Sequence, residues 1–262
     1  MRKKIKQAFA ETDKKTIIVY IILRILVIIS MIREIINGNF SNALLCFLAL
    51  ILFLVPSIIE KTFKIEFPSN LEIIILIFIF SAEILGEINN FYGRFAAFDS
   101  ILHALNGFLC ASIGFSLVYL LNNNVSSFKL SPFFVSLVAF CFSMTIGVAW
   151  EFLEYSADNI FKLDMQKDEY VYEINTVMLD PEEDNNVIKF KEIDHTIIYD
   201  KNNNAIKRID GYLDIGLHDT MKDLFVNFIG AFIFCIFGYL YIINKDKYKL
   251  AGSFLTKKKN GN

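Results

Sequence analysis

Apolar positions in this chain gather into six long runs separated by short polar stretches. They cover roughly Thr16–Ile32, Phe40–Ile59, Leu71–Ile88, Ser100–Leu121, Pro132–Phe152 and Met221–Ile243. Each is near the ~20 residues that a helix needs to cross the hydrocarbon core of a bilayer. The pattern predicts an all-α membrane protein of about six transmembrane helices. Arg24 interrupts the first run. A cation there snorkels to the interface or pairs with an acid more readily than it does chemistry.

Between the fifth and sixth runs the period changes. Over residues 163–216 the segments EYVYEINTV, NVIKFKEI, HTIIYD and IKRID alternate apolar and polar residues, as strands do. Lys201–Ala205 (KNNNA) fits a hairpin turn, because Asn tolerates left-handed geometry. Pro181–Asn185 (PEEDN) reads as an acidic turn. Some fifty residues make a thin core, so the segment reads as a small β-rich insertion, with a disordered acidic loop as the alternative. Three parts follow: residues 1–154 with helices 1 to 5, the insertion at 155–218, and residues 219–262 with helix 6 and a basic tail.

Composition agrees with the membrane reading. The chain has 262 residues, is 55% hydrophobic with 27 Phe, and has a mean hydropathy of +0.46. Its net charge of −2 hides an asymmetry. Residues 155–218 carry fourteen Asp/Glu against seven Lys/Arg, and the remainder is net basic. With the N-terminus inside, fifteen Lys/Arg fall on the cytoplasmic side, against Arg33 and Arg94 in the short outer loops. That is a positive-inside pattern. It predicts a cell-membrane protein with both termini cytoplasmic and an extracytoplasmic insertion. The basic start followed by an apolar run resembles a signal peptide, but no A-x-A site follows, so an uncleaved signal-anchor helix is expected. No basic aromatic patch or zinc-finger spacing supports nucleic-acid binding. Cys46, Cys110, Cys141 and Cys235 all lie in apolar runs without a CxxC, which predicts buried packing residues rather than disulfides or a zinc knuckle.

Three polar groups fall at the ends of apolar runs. They are Asp99 with His103, Glu151 with Glu154, and Asp219 with Asp223 and Asn227. In the predicted topology all three ends face outward. On a helix, i and i+4 share a face, so Asp99 and His103 point the same way, with Asn106 and Gly107 continuing the line. Asp219, Asp223 and Asn227 form a stripe that descends roughly 12 Å. Ionisable groups are expensive in a bilayer, so several at one level point to a site. The bland alternatives are specific. Asp99 and Asp219 could cap helix N-termini, and Thr220 with Asp223 could form a capping box. Glu151 and Glu154 stand at a C-terminal end, where the dipole disfavours them and capping cannot explain them. They could still be an interfacial pair solvated beside Trp150 and Tyr155. His103 could simply bond a neighbour; His195 and His218 read as surface residues, and Glu83 and Glu87 as weaker candidates. Carboxylates with an imidazole suit a divalent cation such as Zn²⁺, Mn²⁺ or Mg²⁺, with His103, Glu151 and Asp223 as ligands. They equally suit a proton relay or a general acid/base pair.

The blocks FDSILHALNGF (98–108), WEFLEYSADNIF (150–161) and GYLDIGLHDTMKDLFVNFIGA (211–231) resemble the YjdF-like family of membrane proteins and, more distantly, the VanZ-like group. The resemblance covers helices 4 to 6 and implies that Asp99, His103, Glu151, Glu154, Asp219, Asp223, Asn227 and Gly230 are family positions. It implies no substrate. Three kinds of function are compatible with the residues. A membrane-embedded enzyme would act on a lipid or cell-envelope substrate. A transporter or proton-coupled carrier would need polar groups through the full depth, and the inner halves of these helices are nearly all apolar. A binding or scaffolding protein would use the acidic insertion.

Overall fold

A computed structural model of the protein describes residues 13–124, 129–162 and 164–258. The basic start, read as the flank of a signal anchor, lies mostly outside them. The chain forms two compact units. One comprises Met1–Val148 with Asp223–Asn262, the other Ala149–Lys222.

Helix α1 (Lys14–Ile36) starts at Asp13, whose carboxylate accepts from the amide of Lys15. Helices α2 (Phe40–Leu52) and α3 (Val55–Phe63) join into one 24-residue apolar stretch. Lys64, in left-handed geometry, ends α3 and leads to β1 (Ile65–Glu66). Helix α4 (Ser69–Phe80) runs directly into a π-helical segment, Ser81–Ile88. The short α5 (Phe91–Arg94) precedes α6 (Phe98–Asn124) and α7 (Pro132–Phe161). Strands β2 (Glu169–Val171), β3 (Ile174–Thr176), β4 (Ile188–Phe190), β5 (His195–Tyr199), β6 (Ala205–Asp210) and β7 (Tyr212–Asp214) follow. Helix α8 (Leu217–Ile243), a 3₁₀ turn (Ala251–Phe254) and β8 (Lys257–Lys258) complete the fold.

Among the described residues, five helices are long and apolar enough to cross a membrane: Lys14–Ile36, Phe40–Phe63, Phe98–Asn123, Pro132–Ile160 and Leu217–Ile243. The protein is therefore a multi-pass helical membrane protein. The remaining apolar run, expected as a helix over Leu71–Ile88, is divided between α4 and the π-helical segment. Long apolar side chains on α1, including Ile18, Ile22, Ile29 and Ile36, point away from the protein. In lipid such a surface costs nothing, and α1 needs only a narrow seam to pack.

Among the described residues, three clusters organise the helical unit, one of them Ile65, Phe67, Leu71 and Leu109 around β1, α4 and α6. Val27, Cys46, Phe53, Leu76 and Ile84 join α1, α2, α4 and the π segment. Ala111, Phe115, Val135, Phe234 and Ala251 join α6, α7, α8 and the 3₁₀ turn. The chain after α8 folds back. The Ser116 hydroxyl donates to the carbonyl of Phe254 and accepts from the amide of Thr256, and β8 pairs antiparallel with β1. All four cysteines are free thiols; Cys46 and Cys235 are buried, Cys110 is half-buried. Cys141 is exposed, against the expectation of a buried packing residue. An outward thiol is tolerated because it is a small, weakly polar group that lipid solvates well.

Among its described residues the second unit contains three antiparallel strand pairs: β2 with β7, β3 with β4, and β5 with β6. Ordered strands replace the disordered-loop alternative. In the β5–β6 turn the Asp200 carboxylate accepts from the amides of Asn202 and Asn204, and Asn203 takes a positive φ. In the acidic turn Asp180 accepts from the amides of Glu182 and Asn186.

Candidate functional site

Three residues of α6, Asp99, His103 and Asn106, share one helix face, and Cys110 extends it. On α8 the corresponding line is Asp223, Asn227 and Gly230. Both spacings are multiples of about one helical turn. Gly230 and Gly107 decide that the two lines meet. A Cβ on Gly230 would collide with the carbonyl oxygen of Ala104, and one on Gly107 with the carbonyl oxygen of Asn227. The backbones of α6 and α8 are therefore in direct contact, as small residues allow inside membranes.

This contact sets the geometry at the start of α6. His103 Nε2 lies 3.5 Å from Asp99 Oδ1 and 3.4 Å from Asp223 Oδ2. One ligand atom from each of the three residues falls within 4.8 Å of the others. The side chains of Asp223, His103 and Asp99 are 2%, 12% and 25% exposed, so the group opens to its surroundings through Asp99. Asp99 also stands in the first turn of α6, where the positive end of the helix dipole favours an anion.

One turn further along, Asn106 Nδ2 donates to Asn227 Oδ1 at 3.1 Å. Asn227 Nδ2 points to Met144 Sδ at 3.6 Å, and Cys110 Sγ to Asn106 Oδ1 at 3.5 Å. Ser143 of α7 donates to the carbonyl of Gly107 at 2.8 Å. Beyond this pair the helices close on the apolar cluster of Phe115 and Phe234. An imidazole between two carboxylates can hold a cation, accept and pass a proton, or orient a polar ligand.

Three other sequence candidates belong to the second unit. Glu151 is buried. Glu154 is buried and accepts from Trp150 Nε1 at 2.8 Å. Asp219 accepts from the amide of Lys167 at 2.8 Å and pairs with Lys222 at 3.2 Å. The start of α8 is capped by Asp214, which accepts from the amide of His218, rather than by Asp219. Thr220 accepts from Gln166 instead of forming a capping box, and Asp223 faces His103. Elsewhere, Arg24 stacks on Tyr20 at 4.9 Å and points to the carbonyl of Leu50. Glu83 is buried in the π segment and Glu87 is exposed. His218 is exposed, and His195 contacts Asp194 at 2.7 Å. That contact, with Arg208 nearby, holds the Asp194 carboxyl below its ordinary pKa. Sequence reasoning missed Cys110 and Met144. Cys110 was available from its spacing on the Asp99 face, whereas Met144 carried no signal.

The family model of predicted membrane proteins designated DUF2238 matches residues 16–244. The chain belongs to this family. In the DUF2238 chain the matched region takes in every helix that contributes to the Asp99–His103–Asp223 group. Neither a curated protein nor a solved structure matches it.

Proposed function

We propose that this DUF2238 protein is a membrane-embedded enzyme that acts on a lipid or cell-envelope substrate at the extracytoplasmic face of the cell membrane. The observation that carries the reading is the meeting of Asp99, His103 and Asp223 from two helices, with Asp223 almost fully buried. Burying a carboxylate beside an imidazole is costly in a stable helix bundle. Function is the usual reason for retaining such a group. The resemblance to YjdF-like and VanZ-like chains belongs to the same reading, since its blocks contain these residues.

The topology that accompanies it has six spans. The α4–π segment, Ser69–Ile88, serves as the third, so the N-terminus and the basic tail are cytoplasmic and the acidic strand-rich unit is outside. Glu151, Glu154 and Asp219 would then lie on the extracytoplasmic side. The aromatic and aliphatic packing inward of Asn106 and Asn227 favours an enzyme over a transporter. A carrier needs polar groups through the full depth.

The test is lipid and envelope profiling by mass spectrometry. Cells producing the protein are compared with cells producing Asp223→Asn at the same membrane abundance. The reading expects at least one lipid or envelope component that changes with the wild type and not with the variant. Identical profiles would reject it.

A further inference from the structure

We infer that Asp99, His103 and Asp223 are three ligands of one divalent cation of the Zn²⁺ or Mn²⁺ type, with a coordination position left for a water or substrate oxygen. The inference rests on the polar-site reading above and adds its cofactor. It differs from the ligand set expected from sequence in taking Asp99 in place of Glu151.

Distances carry the argument. A neutral or charged N–H···O hydrogen bond spans about 2.7–3.2 Å. The two separations from His103 Nε2, 3.4 and 3.5 Å, exceed that range. Two ligands on one tetrahedral ion, each at about 2.1 Å, stand about 3.4 Å apart. The pairs from His103, which are of ion-pair length, also match a tetrahedron edge. The third pair, Asp99 with Asp223, is within 4.8 Å, close enough for carboxylate rotamers to settle around an ion.

The donor set supports the same class of ion. Carboxylate oxygens and an imidazole nitrogen are ligand types that zinc and manganese accept, while calcium takes six to eight oxygens and magnesium keeps several of its waters. Two carboxylates and a neutral imidazole also balance the charge of a divalent ion, which removes much of the cost of an Asp223 that is 2% exposed. Three protein ligands are what catalytic zinc sites hold, whereas structural sites take four. Asp99, the most exposed of the three, lies on the side from which a ligand would enter.

The positions are built to be held. Asp99 and His103 are fixed relative to each other by one turn of α6. Asp223 is brought to them by the backbone contacts at Gly107 and Gly230, and the Asn106–Asn227 pair locks the register of the two helices. These are positioning residues and would contact no ion themselves.

The experiment uses the full-length protein purified into lipid nanodiscs. Metal content is measured by inductively coupled plasma mass spectrometry. Thermal unfolding is followed with Zn²⁺, Mn²⁺ or Mg²⁺ added singly. The inference expects about one ion per chain and a rise in unfolding temperature with Zn²⁺ or Mn²⁺. It expects at least a tenfold loss of bound metal in His103→Ala and Asp223→Asn. Asp99→Asn, at the most open of the three positions, keeps the fold if the buried variants do not and should also lose metal. Metal-free wild type that none of the three ions stabilises would overturn the inference, as would equal metal in the wild type and all three variants. Its failure is separable from that of the enzyme reading. A wild-type-dependent lipid change without bound metal rejects only the cation, and bound metal without any such change rejects only the activity.

Discussion

Gly230 shows how one position governs the site. Replacing a helix-interior Gly by Ala usually gains up to about 1 kcal/mol of helix propensity. Here the new methyl would meet the carbonyl oxygen of Ala104, a backbone atom that a packed helix cannot swing aside. Overpacking of that kind costs about 1–3 kcal/mol, so the steric term wins. Gly230→Ala should lower the unfolding temperature by a few degrees, at about 2–4 °C per kcal/mol for a chain of this size. Differential scanning fluorimetry in nanodiscs measures it. An increase would mean that α6 and α8 do not touch there. The polar residues read differently. His103 and Asp223 take meaning only from each other, whereas Asp214 and Asp219 are engaged locally with His218, Lys167 and Lys222.

Among the elements, the β5–β6 hairpin depends on a single carboxylate. Asp200 accepts from the backbone amide of Asn204, its largest influence, then from the Asn204 side chain and the amide of Asn202. These donors stabilise the ionised form and hold the Asp200 pKa below its ordinary value of 3.8. A depressed pKa contributes stability above the unfolded value, and that contribution disappears as pH falls through the folded value. The turn should therefore keep its order at neutral pH and lose it only below about pH 4. Hydrogen exchange at Asn202–Asn204, referred to the Asp200→Ala variant at each pH, should show protection at pH 6 that declines only as the pH is taken below about 4. Protection indifferent to pH, or equal in the variant, would remove Asp200 from the turn's account. The strand pattern was legible from alternation, and the KNNNA turn from its Asn run. The closing of β2 against β7 was not, since those partners lie some forty residues apart and alternation carries no information about pairing.

At the level of the whole molecule, the arrangement of α6, α7 and α8 does not depend on how many spans precede them. Asp99 and His103 of α6 lie beside Asp223 of α8, and one helix, α7, stands between α6 and α8 in sequence. In the proposed topology the two helices enter the membrane from the same side. Which side that is depends on the α4–π segment as a third span, and on the fifteen Lys/Arg that the proposed topology places inside. A membrane-impermeant thiol reagent on intact cells, with native cysteines replaced by Ser, should label a Cys introduced at Asn203. It should spare one at Lys249 until the cells are opened. The reverse pattern would put the polar group on the cytoplasmic face and reject an extracytoplasmic substrate. Residues 203 and 249 suit the purpose because both are exposed.

Sequence alone determined that this is a helical membrane protein with a strand-rich segment before its last helix. Hydrophobic run length and period are local quantities, and lipid leaves few alternatives to a helix. It also determined that Asp99 and His103 share a face, because one helical turn fixes that. Tertiary structure decided that Asp223 is the residue opposite them. The choice came from two glycines that let backbones touch across more than a hundred residues of chain, a contact no period encodes. It also decided that the Leu71–Ile88 run ends in a π-helical segment and that the tail returns to Ser116 and β1. Those outcomes depend on packing between distant elements, where the local pattern is silent.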